Sequence, residues 1–151
     1  SDMTQLTKYL LFVFLCMSVI QLNAQQNDSV TDTNLVTFKE VSYTLIGPVK
    51  KGMASFYSLK FEGRKTATGA IFSHAKYTAA SNHFPLGIYV RVINPKNNQY
   101  VIVKINDRMG KSMSKKGRIV DLTRLAAKEI GIFKQGIGKV LVQKVEKQAN
   151  K

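Results

Sequence analysis

The 151 residues include one cysteine, Cys16, and no tryptophan. A single thiol allows neither an internal disulfide nor a thiolate metal site. Histidine is almost as scarce. His74 and His83 are the only two, and neither has a partner at helical spacing, so an imidazole metal centre also lacks its parts. Both read as surface or loop residues. No metal and no cofactor is expected. Serines are plentiful, but there is no Gly-x-Ser-x-Gly elbow and no glycine-rich loop ending in Gly-Lys-Ser/Thr. The usual serine hydrolases and nucleotide enzymes therefore lack their parts.

Acidic residues are the next shortage. Nine Asp and Glu stand against 23 Lys and Arg, a formal charge of +14, so the chain should be drawn to polyanions. Nucleic acid is not the expected partner, because no recognition-helix pattern or repeated aromatic-basic platform occurs. The scarcity also narrows any carboxylate chemistry. From Gly52 onward the acids are Glu62, Asp107, Asp121, Glu129 and Glu146. Glu129, among Ala127, Lys128 and Lys134, and Glu146, in the charged tail, read as solvated surface. Glu62, beside Arg64 and Lys65, reads as paired or solvated.

What is present begins with an apolar run, Tyr9 to Ile20, after Lys8 and before polar Gln25-Gln26-Asn27-Asp28. A basic start, a short apolar segment and a small residue predict an export signal over residues 1–24, cut after Ala24. Export to the periplasm or cell envelope follows, and it too argues against nucleic acid. Lipid attachment at Cys16 is not expected, because Phe14-Leu15 precede it rather than small residues. Residues 25–51 read as a flexible leader with a loosely alternating stretch, Leu35 to Val49, that can add a strand before Pro48 and Gly52 break it. One domain is expected over residues 52–146, with a basic tail at 147–151; 44% hydrophobic residues suit one core.

Within that domain the pattern is mostly strand. Ile88 to Asn94, a turn over Pro95-Lys96-Asn97-Asn98, and Gln99 to Asn106 predict a hairpin. Val90 and Val92 share one face of the first strand, and Val101, Val103 and Ile105 share one face of the second, so each has one side to bury. Thr123 is a fair N-cap for a short helix that Gly131 ends. Val140 to Val145 alternates as a closing strand. Short strands, glycine-bearing loops and one short helix describe a small mostly-β barrel.

Asp107 stands where the strand VIVKIN runs out, and strand-end loops are where a rigid scaffold presents reactive groups. The same residue also suits a turn, its side chain bonding nearby backbone N–H groups. Asp121, in RIVDLT, follows a short apolar stretch and is open to a role as an alternative helix cap or as a structural ligand for a neighbouring loop. The residue pattern does not choose among these.

The ordered pieces GMASFYS, KFEGRKTATG, YTAASNHFPLG, VRVIN, VIVKINDR, GRIVDLTRLAAKEIG and GIGKVLVQKV together resemble the rare lipoprotein A (RlpA) family of septal-ring lytic transglycosylases, fold relatives of the expansins. The resemblance covers about Gly52 to Val145. It implies a six-stranded double-psi β-barrel with a groove for peptidoglycan glycan strands. It also implies non-hydrolytic cleavage, in which a carboxyl group protonates the glycosidic oxygen while the muramic acid C6 hydroxyl closes on C1 to give a 1,6-anhydro end. Such an acid needs partial desolvation and a raised pKa. The family's Asn-Asp-Arg motif maps onto Asn106-Asp107-Arg108, which makes Asp107 the acid/base candidate and gives Arg108 an orienting or carboxylate-holding role. Asp121 is assigned to the groove or its support, Thr66 is a candidate groove hydroxyl, and Tyr57 is a candidate sugar-stacking ring.

The sequence also departs from the family pattern. Where members carry Glu, Asp and His, this chain has Ala70, Ser73 and Ser81. His83 lies two residues beyond the lost histidine position, on the same face if the chain is extended there, and is the candidate substitute. Groups that act as a unit lose orders of magnitude when separated. The expected function is therefore peptidoglycan binding and remodelling with weakened or absent cleavage; the alternative is an active transglycosylase with Asp107 as sole acid/base. A monomer is expected, with division or cell-envelope proteins as further partners.

Overall fold

The computed structural model describes residues 3–8 and 34–149. Residues 3–8 form a short helix, α1, in which Thr7 Oγ1 donates to the Met3 carbonyl oxygen at 2.7 Å. The apolar run of the expected export signal, its cut after Ala24 and the leader up to residue 33 lie outside the described residues. Asn150 and Lys151 of the expected tail do so as well. Among the described residues, no helix is long and apolar enough to cross a membrane.

The described residues from 34 onward form seven strands: β1 (Leu35–Phe38), β2 (Val41–Phe56), β3 (Thr78–Ala80), β4 (Tyr89–Ile93), β5 (Tyr100–Asp107), β6 (Arg118–Leu122) and β7 (Ile137–Lys147). Two short helices, α2 (Lys111–Lys115) and α3 (Arg124–Glu129), and a 3-10 turn at Leu59–Phe61 complete it. Strand order is β1-β2-β6-β3-β5-β4-β7, and β7 returns to pair with β2. That last pairing closes six strands, β2 to β7, into a barrel and leaves β1 as an addition on β2. Two pairs run parallel, β2 with β6 and β3 with β5; the others are antiparallel. Closure removes the barrel's free edges.

The predicted hairpin forms as β4 and β5, in register from Tyr89 opposite Lys104 to Ile93 opposite Tyr100. Val90, Val92, Val101, Val103 and Ile105 are all fully buried, joined inside the barrel by Ala54, Ala79, Val120, Leu122, Val140 and Val142. β5, however, has two sides to bury rather than one. Ile102 points outward into a second cluster with Tyr43 and Val145, covered by Val36, Phe38 and Tyr89. The β1–β2 hairpin supplies that cover, so the segment read as a leader carries structure from residue 34 onward.

Pro48 does not end the strand. β2 runs through it, and its pairing with β7 shifts register between Ile46 and Lys50, so the proline falls where no ladder bond is required. The sixteen residues serve two sets of neighbours: β1 and β7 in the first half, β6 and β7 in the second.

Thr123 caps α3 as read, its hydroxyl accepting from Ala126 N–H at 3.3 Å and donating to the Lys76 carbonyl at 2.6 Å. Glu129 is more engaged than a solvated residue. It accepts from the Tyr77 hydroxyl at 2.7 Å, lies 3.2 Å from Lys39, and has its pKa lowered chiefly by the Tyr77 bond.

Gly52 is required by close approach. A Cβ there would stand 2.6 Å from Ile119 Cγ2, whose side chain is packed in the core. Gly52→Ala should therefore destabilise the fold by about 1–3 kcal/mol. Urea unfolding checks this, and the Gly52→Ala step should cost less in an Ile119→Ala background, where both of the clashing γ carbons are absent.

Candidate functional site

The strand register lines up the acids. Asp107 at the end of β5 and Asp121 on β6 are both backbone partners of Ala80 on β3, one from each side. Asp121 is in turn opposite Ser55 on β2. Residues opposite one another share a sheet face. Ser55, Asp121, Ala80 and Asp107 therefore form one row across four neighbouring strands on the outside of the barrel. The two aspartates are two strand spacings apart, about 10 Å between Cα atoms. The methyl side chain of Ala80 between them is buried in a cluster with Tyr57, Phe72 and Met109.

Asp107 is half-buried and held by three donors. Its Oδ2 accepts from the Tyr57 hydroxyl at 2.8 Å, and its Oδ1 accepts from the backbone N–H groups of Ala67 and Arg108, both at 2.9 Å. Both oxygens thus act as acceptors, the pattern of an ionised carboxylate. The turn at Thr66–Ala70 that supplies the Ala67 N–H is docked by Thr68 N–H on the Asn106 carbonyl at 3.2 Å.

Asp121 is placed differently. Burial raises its pKa, Asp107 adds to the rise, and the Ser55 hydroxyl and the Arg118 charge act against it. Ser55 Oγ donates to Asp121 Oδ1 at 2.9 Å while Arg118 Nη1 donates to Ser55 Oγ at 3.3 Å, so the arginine reaches the acid through one hydroxyl. Arg118 Nη1 also contacts Met113 Sδ at 3.3 Å, which ties α2 to this network. Two carboxyl groups in one row, one desolvated and one held by three donors, have the divided environments that general acid–base chemistry uses.

The other expected site residues fall around this row in different roles. Tyr57 is 5% exposed, with its ring 4.3 Å from Phe72 and 5.4 Å from Phe61. It has no free face for a sugar, and its place is that of donor to Asp107; burial first, and the Asp107 bond second, raise its pKa. Arg108 spends Nη1 on the carbonyl oxygens of Ser81 and Phe84, at 2.5 and 2.6 Å, and so fastens the loop after β3 to the end of β5. Thr66 is buried, its hydroxyl 3.1 Å from that of Thr68.

Ser81, at the histidine position of the resemblance, is fully buried; its hydroxyl donates to the Ile119 carbonyl at 2.7 Å and accepts from His83 N–H at 3.1 Å. The chain bends from Asn82 to Phe84, so the two-residue alternation fails and His83 is exposed while Ser81 faces inward. Ala70 is exposed and Ser73 half-buried, its hydroxyl accepting from Ala75 N–H at 3.2 Å.

Several supporting residues were not singled out by sequence reading. Ser55 and Arg118 carry no motif of their own, and only the parallel β2–β6 register brings them to Asp121. Asn82 clamps the loop after Asp107, its amide donating to the Met109 carbonyl at 2.9 Å and accepting from Met109 N–H at 3.0 Å. His74 bridges elements rather than lying free. Its ring nitrogens are 3.3 Å from the Ser58 carbonyl and from Arg124 N–H, and its own N–H donates to Glu62 at 2.8 Å. Among the described residues, no group of three or more His, Cys, Asp or Glu is placed to hold a metal.

The partners of Asp121 fix the direction in which each substitution should move it. Ser55→Ala or Arg118→Met should raise its pKa further, and Asp107→Asn should lower it, because those partners act in the opposite senses. Carboxyl-carbon NMR titration of the three variants measures each shift directly.

The family described as lytic transglycolase, a double-psi β-barrel domain, matches residues 49–142. The endolytic peptidoglycan transglycosylase RlpA of Pasteurella multocida is 48% identical over 110 residues, which cover 73% of this chain and 35% of that protein. The chain thus spans about a third of the length of that curated relative. Among solved structures, an expansin variant of Clavibacter michiganensis in complex with cellohexaose aligns with a TM-score of 0.51 and 21% identity, over 69% of this chain and 54% of the other. A Streptomyces papain inhibitor aligns with a TM-score of 0.52 and 19% identity, over 66% of this chain and 96% of the other. At such identities the likeness is one of fold. With the family match spanning most of the barrel and six strands closing as that barrel requires, the chain belongs to the lytic transglycolase family of RlpA-like double-psi β-barrel domains.

Proposed function

We propose that this domain binds peptidoglycan glycan strands along the outer row and cleaves them to 1,6-anhydro ends, more slowly than relatives that carry the full set of site groups. The cell envelope is its place of action. The observation that carries this reading is the pairing on one face of Asp121, desolvated and inclined to keep its proton, with Asp107, whose oxygens both serve as acceptors.

The roles divide accordingly. Asp121 gives its proton to the glycosidic oxygen as the bond from C1 to that oxygen breaks. The muramic acid C6 hydroxyl closes on C1, and its proton passes to Asp107. Oδ2 of Asp107 has a lone pair left after the Tyr57 bond, whereas Oδ1 already accepts two N–H groups. The products are the anhydro ring and a new hydroxyl end, and solvent returns the proton from Asp107 to Asp121. This shares between two residues the task that the motif alone gave to Asp107. Ala70, Ser73 and Ser81 supply neither carboxylate nor imidazole, which accounts for the reduced rate.

A second reading, wall binding without cleavage, is favoured by those same three positions, and the barrel fold by itself fixes no function. Incubating the full chain with sacculi, followed by mass spectrometry of the released material, separates the two. Anhydromuramic products are expected, falling at least about 100-fold in Asp121→Asn and in Asp107→Asn. Sedimentation of the protein with sacculi and no anhydro product from the wild type would leave the binding reading alone.

A further inference from the structure

The connection from β5 to β6 carries a thioether that the chemistry above does not use. Met113 lies on α2, a five-residue helix that buries none of its own residues and has no side-chain cap at Gly110. Lys111, Lys115 and Lys116 on this segment are exposed. It adds little to the core, yet it is held at two points. Asn82 Nδ2 donates to Ser114 Oγ at 3.0 Å, and Arg118 Nη1 donates to Met113 Sδ at 3.3 Å.

The second contact leads to the acid row. The same Nη1 donates to Ser55 Oγ, also at 3.3 Å, and Ser55 donates to Asp121. One guanidinium nitrogen is thus divided between a sulfur and the hydroxyl in front of the acid. A thioether is a weak acceptor, and Nε of the same arginine is buried with no acceptor among the described residues. Arg118 therefore has more donor capacity here than its neighbours take up. Met113 packs against the cluster of Tyr57, Phe72, Ala80 and Met109, but only half-buried, so small solutes reach it from one side.

We propose that Met113 is a site of oxidative modification, and that its sulfoxide draws Arg118 off Ser55 and so loosens the arginine's hold on Asp121. The oxidant is a peroxide. A sulfur lone pair attacks one oxygen of hydrogen peroxide, the O–O bond breaks as the S–O bond forms, and the departing hydroxide takes the proton left on the bound oxygen and leaves as water. Sulfur gives up two electrons and the peroxide takes them. A strong oxygen acceptor then replaces a weak sulfur one, beside an arginine with an unspent N–H.

The consequence for Asp121 has a direction. The Arg118 charge acts against the rise in its pKa, so withdrawing that charge lets the acid keep its proton to higher pH. The other groups acting on Asp121 stay in place: Ser55 still donates to it, and Asp107 keeps its bond from Tyr57. This change at Asp121 is independent of what the site cleaves. The accompanying change in cleavage, an alkaline limb of the pH profile moved to higher pH, rests on the function proposed above.

The test treats the full chain with hydrogen peroxide, reads oxidation at each methionine by peptide mass spectrometry, and follows Asp121 by carboxyl-carbon NMR titration. Sulfoxide at Met113 is expected to form well ahead of Met109, which is 8% exposed, with an upward move of the Asp121 midpoint. Methionine sulfoxide reductases acting on both epimers, with a thiol, should reverse it. Met113→Leu should remove the response, as should Arg118→Leu, which leaves the sulfoxide no guanidinium to take, while Met53→Leu should respond as the wild type does. Met113 that stays reduced when exposed Met3 is fully oxidised overturns the proposal. So does a midpoint that fails to move up, or one that moves equally in Met113→Leu. A shifted midpoint with no anhydromuramic product from either form would keep the modification site and refute the proposed cleavage. Circular dichroism before and after peroxide separates a local change from unfolding.

Discussion

The arrangement of this molecule depends on a single backbone position. Ala80 pairs in parallel with Asp107 and antiparallel with Asp121, so a short three-residue strand holds two acids in one row without touching either with a bulky side chain. Both parallel pairings of the barrel serve that outcome, one bringing β5 to β3 and the other bringing β2, with Ser55, to β6. The interior valines and alanines fix the strands, and because side chains alternate along each strand, fixing the inward set fixes the outward one. The acids stand where they do because Val120, Leu122, Ala79 and Ile105 are in the core.

The polar layer over that core is built to keep the row in place. Tyr57, Arg108, Ser81, Thr66 and Asn82 all direct hydrogen bonds to backbone groups, to neighbouring hydroxyls or to Asp107, and most of them are buried. Ser81 shows how the departures from the family pattern are accommodated. A side chain at that position faces the interior, where a hydroxyl can satisfy the Ile119 carbonyl. Under the proposed function, the chemistry of this site falls to two carboxyl groups and the residues that set their charge.

Much of this was legible in the sequence where the information is local. The alternation of Val90, Val92, Val101 and Val103 gave the central hairpin, Thr123 gave the helix start, and a carboxylate at the end of a strand in an acid-poor chain drew attention to Asp107. The remainder depended on contacts between distant segments. Pro48 read as a break because a proline lacks a donor, yet a register shift lets β2 pass it. Tyr57 read as a platform because aromatic rings suit sugars, but Phe72 and Phe61 occupy its ring. Ser55 and Arg118 had no signal, since their importance comes from the parallel pairing of β2 with β6. His83 was placed by an alternation that a bend interrupts.

Burial, with the Asp107 charge nearby, makes Asp121 reluctant to ionise, and the pH dependence of stability reads this out. A group whose pKa is raised in the folded state binds more protons there than in the unfolded chain. Its stabilisation is present below the ordinary value of 3.8 and is lost as pH rises from there through the folded-state value. Urea unfolding of the wild type and of Asp121→Asn, followed from acid to neutral pH, isolates that contribution. The expected result is a variant that gains stability relative to the wild type as pH rises through this range and is the more stable of the two at neutral pH. A variant less stable than the wild type at neutral pH, with the pH slope unchanged, would show that Asp121 is an ordinary ionised carboxylate and would contradict the assignment of the acid.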